Sequence, residues 1–92
     1  MMLGANTPNP FGPRTDISFT LDGKTEIELA VFDVQGRLVR VLASGLQETG
    51  AHRVTWDGRD ASGRDLGSGV YFYRLKGKGA EESQARKMLL LR

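Results

Sequence analysis

The stretch TWDGRDASGRDLGSGVYFYRL, Thr55–Leu75, places three aspartates and four glycines ahead of a run of aromatics. A calcium loop would put oxygen ligands at its first, third and fifth positions and end on a bidentate glutamate. Counted from Asp57, the third position is Arg59, a cation. The set Asp57, Asp60, Ser62 and Asp65 is irregularly spaced, and no glutamate follows before Glu81. A glycine-rich phosphate cradle opens a helix, and nothing after Gly69 has helical periodicity. What remains is a corner between strands. Asp57 is suited to bonding nearby backbone amides after Trp56. ASGR, 61–64, is a tight turn with Gly63 at its positive-φ position, and Gly67 and Gly69 allow a bend from one sheet to the other. In the strand that follows, Tyr71, Tyr73 and Leu75 share one face and Phe72 takes the other. Trp56 and Tyr71 are therefore the expected core anchors.

Working outward, alternation with a period of two recurs along the chain. Ile17, Phe19 and Leu21 face inward in TDISFTL, and DGK at 22–24 signals a turn. Ile27, Leu29 and Val31 face inward in the next segment, against Glu26 and Glu28. Gly36 in DVQGR suits a short hairpin loop. Beyond it Val39 and Val41 are expected on one face with Arg40 on the other, and then Val54 with Trp56. A GKG turn at 77–79 leads to QARKMLLLR, in which Met88 and Leu90 share a face. No internal repeat is evident. The spacing predicts an all-β fold, an immunoglobulin-like antiparallel β-sandwich of about seven strands. Residues 1–14, which hold all three prolines, read as a lead-in or linker, and residues 15–92 as the sandwich domain.

Composition narrows the function. A chain of 92 residues fits one domain. It has no cysteine, which excludes disulfides, thiolate metal sites and cysteine nucleophiles. Its 13 basic and 11 acidic residues are mixed, so no nucleic-acid partner is expected. Lys76, Lys78, Arg86 and Lys87 come near one another in sequence, but Glu81 and Glu82 lie among them. The apolar run MLLL is far shorter than the ~20 residues of a membrane helix, and MMLGANTPNPFGPR has no signal-peptide pattern. An upstream export signal stays open. The single histidine, His52, shares parity with Val54 and Trp56 and reads as a half-buried rim residue. Ser68 in GSGV lacks the G-x-S-x-G pattern of a nucleophile elbow. No catalytic residue, metal ligand or cofactor is expected. An exposed aromatic, Phe72, leaves a sugar-stacking surface as a minor alternative.

Taken together, LGANTPNPFGPRTDISFTL (3–21), LAVFDVQGRLVRVL (29–42), GAHRVTWDGRDASGRDLGSGVYFYRL (50–75) and ARKMLLLR (85–92) resemble a family. The chain is similar to the C-terminal sorting domains of type IX (Por) secretion cargo and to the immunoglobulin-like domain of flagellar hook-capping proteins. The set Asn9, Pro10, Phe11, Asp33, Gly36, Arg37, Trp56, Asp57, Gly58, Gly69, Val70 and Tyr71 carries the likeness. The resemblance implies a non-catalytic module following an upstream cargo domain in the same chain, secreted or at the cell surface. It implies outer-membrane translocation machinery as partner, reading the terminal strand Arg86, Lys87, Met88, Leu89, Leu90, Leu91 and Arg92, with Arg86, Lys87 and Arg92 exposed. The ending KMLLLR departs from the lysine-rich valine strand common among sorting domains. A hook-capping type of assembly scaffold is the alternative implication. The Met1-Met2 start reads as a fragment boundary.

Overall fold

The alternating segments fold as strands because each has one apolar and one polar face, and the apolar faces close on one another. The computed structural model describes residues 1–78 and 82–92. Its strands are β1 (Met2–Leu3), β2 (Thr15–Leu21), β3 (Thr25–Phe32), β4 (Leu38–Gln47), β5 (Gly50–Trp56), β6 (Gly69–Gly77) and β7 (Glu82–Leu90). They form two antiparallel sheets, β1-β2-β5 and β4-β3-β6-β7, and no helix occurs among the described residues. This is the expected immunoglobulin-like sandwich. The GKG turn at 77–79 lies partly outside the described residues.

The core follows the predicted parity. Ile17, Phe19 and Leu21 of β2, Ile27, Leu29 and Val31 of β3, and Tyr71, Tyr73 and Leu75 of β6 are buried, with Met88 and Leu90 of β7. Trp56 is fully buried between Phe11 and Tyr71, with ring centroids at 5.6 and 5.7 Å and the planes tilted, an arrangement that aromatic quadrupoles favour. The Tyr73 hydroxyl donates to the Gly4 carbonyl at 2.8 Å, so this core tyrosine has its polar tip satisfied.

Two expectations change. The stretch 1–14 is packed into the sandwich: β1 pairs with β2, and Leu3 and Phe11 are each only 2% exposed. Its prolines, two of them after cis peptide bonds, shape a close-fitting corner. Asn6 pins that corner by donating to Pro8 O and Thr15 Oγ1, while Thr15 donates to Pro8 O. Leu3 ahead of the prolines and Phe11 between them overrode the linker-like composition.

In β4, Val39 packs against the core while Val41 is exposed, so the two do not share a face as expected. The register against β3 slips twice, between Leu29 and Ala30 and between Val31 and Phe32. Each bulge inserts a residue and flips the parity. Val39 and Leu42, three apart, therefore both pack on the core.

Candidate functional site

The aspartate loop after β5 is held by its own side chains. Asp57 Oδ1 accepts the Arg59 amide and the Arg40 guanidinium, each at 3.1 Å. Trp56 Nε1 donates to Arg59 O at 3.0 Å, tying the loop to the core. Asp60 Oδ1 accepts the amides of Ser62 and Arg64 at 3.0 Å and the Ser62 hydroxyl at 2.8 Å. The β3–β4 hairpin repeats this device: Asp33 Oδ1 accepts the amides of Gln35 and Arg37, and Arg37 Nε donates to Asp33 Oδ2.

The backbone bonds match as well. Gly36 N donates to Asp33 O as Gly63 N does to Asp60 O, and Asp33 N donates to Arg37 O as Asp60 N does to Arg64 O. Gly36 and Gly63 sit at φ +79° and +86°, where a side chain is disfavoured. DVQGR and DASGR are thus one turn used twice, facing each other across a groove with Val39 and Leu66 between them. The sequence carried the signal, Asp-x-x-Gly-Arg, in both places. Hydrogen bonds hold both carboxyls below the ordinary aspartate value of 3.8: the Arg37 amide is the chief donor to Asp33, and the Ser62 hydroxyl the chief donor to Asp60.

His52 is half-buried, stacked on Phe19 with centroids 5.1 Å apart, and its Nε2 donates to Glu48 O at 2.7 Å. Among the described residues, no three His, Asp or Glu side chains are grouped to hold a metal ion. Phe72 is 37% exposed and sits beside Phe32, whose ring face carries the Arg74 guanidinium at 4.7 Å.

The terminal strand is gripped on its outer edge. Phe11 N donates to Leu89 O, Leu91 N donates to Phe11 O, and Asn9 Oδ1 accepts the Leu89 amide at 2.9 Å. Asn9-Pro10-Phe11 is therefore the clasp of β7, which gives this sequence signature a physical role. Gln84 Oε1 accepts the Leu3 amide, and Arg86 Nε donates to Leu3 O at 3.0 Å. Arg92 reaches back across the corner: its Nε donates to Leu66 O and its guanidinium to Gly58 O, both at 2.6 Å, and its amide donates to Ser68 Oγ.

The seven residues at 86–92 thus divide by role. Met88 and Leu90 are core, Leu89 is half-buried, and Arg86 and Arg92 are committed to backbone carbonyls. Lys87 and Leu91 are left presented, with Leu91 53% exposed.

A β-sandwich with structured end loops and a clasped terminal strand is an immunoglobulin-like module. The chain belongs to the FlgD Ig-like domain family, whose model matches residues 11–81. No curated protein matches it. Among solved structures it is similar to PorU of Porphyromonas gingivalis, described as dimeric and latent, at TM-score 0.76 and 19% identity over 97% of this chain. It is also similar to PorZ of the same organism, described as an essential surface component of the type IX secretion system, at 0.64 and 22% over 96%. FlgD of P. aeruginosa gives 0.65 and 23% over 84%. The chain spans 9% of PorU, 11% of PorZ and 60% of FlgD. At these identities the likeness is one of fold. Among the described residues, no helix is long and apolar enough to cross a membrane.

Proposed function

We propose that this domain is a non-catalytic C-terminal sorting and attachment module of an exported bacterial protein, recognised by outer-membrane type IX secretion machinery through its last strand. The observation that carries the reading is the near full-length resemblance to sorting domains, joined to a fold shared with parts of PorU and PorZ. The module follows a cargo domain, passes through the periplasm and ends outside the cell. Recognition falls on Lys87 and Leu91, because the other basic residues of the strand already hold the fold together.

The test fuses residues 1–92 behind a periplasmic reporter in a bacterium that has a type IX system, and in one that lacks it. The reporter is expected at the surface or in the medium only in the first host. Retention in the periplasm of both hosts refutes the reading.

The family match favours a second reading, an assembly or spacer domain of the hook-capping type. The parent reading frame separates the two. A large exported enzyme or adhesin upstream supports sorting, and a short hook-capping segment supports the scaffold.

A further inference from the structure

Where the aspartate loop meets the end of the proline corner, Pro13, Arg14, Asp57, Arg59, Asp65 and Arg92 line an open pocket of about 350 Å³. Both carboxylates there are already paired. Asp57 takes Arg40 at 3.1 Å, and Asp65 is shared by Arg59 at 3.0 Å and Arg92 at 3.6 Å. With Arg40 included, four arginine side chains face two aspartate side chains, an excess of two positive charges among the side chains. Two of the lining cations are fixed in place. Arg59 is held by Asp65, and Arg92 by the carbonyls of Leu66 and Gly58. Arg14 is exposed and makes no ion pair among the described residues, so its guanidinium is available.

We propose that this pocket binds a doubly charged oxyanion, a phosphate or sulfate group, between Arg59 and Arg92, with Arg14 closing on it. Planar guanidinium forks match tetrahedral oxyanions, and cations held in place before binding lose little freedom when the ligand arrives. The Gly63 amide is already bonded to Asp60 O. The amides of Arg59, Ser62 and Arg64 donate to Asp57 and Asp60, so side chains supply the donors to the ligand. The volume lies at the small end of ligand clefts, roughly 300–1,000 Å³, and leaves room for the sugar or glycerol of an ester. This inference is independent of the sorting reading.

The test follows backbone amide NMR shifts while inorganic phosphate is titrated into residues 1–92 at constant ionic strength. Saturable shifts are expected at Arg14, Gly58, Arg59 and Asp65. Arg14→Ala, which removes an exposed side chain with no ion pair among the described residues, is expected to weaken binding about tenfold, the effect of one charge-assisted hydrogen bond. Arg14→Lys should bind with intermediate strength, and Lys24→Ala as the parent does. Glycerol phosphate binding more tightly than inorganic phosphate assigns the pocket to an esterified group, and the reverse order assigns it to the free ion. Shifts that never saturate with either probe, or that are unchanged in Arg14→Ala, overturn the proposal.

Discussion

At position 58 the backbone is held at φ +73°, and a Cβ there would lie 2.5 Å from the Arg92 guanidinium. Gly58→Ala therefore strains the backbone and displaces the side chain that ties the end of β7 to the loop. A loss of about 1–3 kcal/mol is expected in urea denaturation. Gly23→Ala, with nothing within 4 Å of the added methyl, should stay within ~0.5 kcal/mol of the parent. The paired aspartates give a pH effect whose sign is fixed. Hydrogen bonds hold Asp33 and Asp60 below 3.8, so the folded chain binds their protons less readily than the unfolded chain. Their stabilisation is complete above that value and is lost as pH falls through the lower folded values. The acid limb of a melting-temperature profile, below about pH 4, should accordingly be shallower in Asp33→Asn/Asp60→Asn. An unchanged slope would show that the two turns do not contribute to it. Asp57 and Gly63 were legible as turn residues because their chemistry is local. The convergence of Arg14, Arg59 and Arg92 was not, because tertiary folding alone brings residues 14, 59 and 92 together.

Among the elements, β2 and β6 were legible because one face of each is buried in strict alternation, and β3 because Ile27, Leu29 and Val31 keep that period although Ala30 is buried as well. β4 was legible as a strand but not in phase, since a bulge shifts parity without a residue type that announces it. The N-terminal corner was misread for another reason. Its prolines and asparagines look like linker composition, and only the fold shows that Leu3 and Phe11 fill the core and that Asn9 caps β7. Phe11→Ala should cost about 3–5 kcal/mol, a large part of a small domain's stability. Asn9→Ala, which removes one acceptor at the strand edge, should cost about 1 kcal/mol. Urea unfolding monitored by Trp56 fluorescence checks both, because Phe11 packs directly on that indole. A Phe11→Ala loss below about 1 kcal/mol would mean that the corner is not part of the cooperative unit.

For the whole molecule, the sandwich could be read from turn residues and periodicity, because these repeat at every corner, and the family from the resemblance of the stretches at 3–21, 29–42, 50–75 and 85–92. How the terminal strand divides its labour could not. Arg86, Lys87 and Arg92 look equivalent in sequence, yet two of them bind backbone carbonyls and one faces solvent. Charge reversal at Arg86 or Arg92 therefore tests folding and recognition together, whereas Lys87→Glu tests recognition alone. Its melting temperature should match the parent's, as for other exposed substitutions. The most direct measurement is the surface-to-periplasm ratio of a reporter fused to residues 1–92, compared with its Lys87→Glu variant in a type IX host. The parent is predicted at the surface and the variant retained in the periplasm. A variant that reaches the surface as well as the parent, or a parent that never leaves the periplasm, contradicts the account.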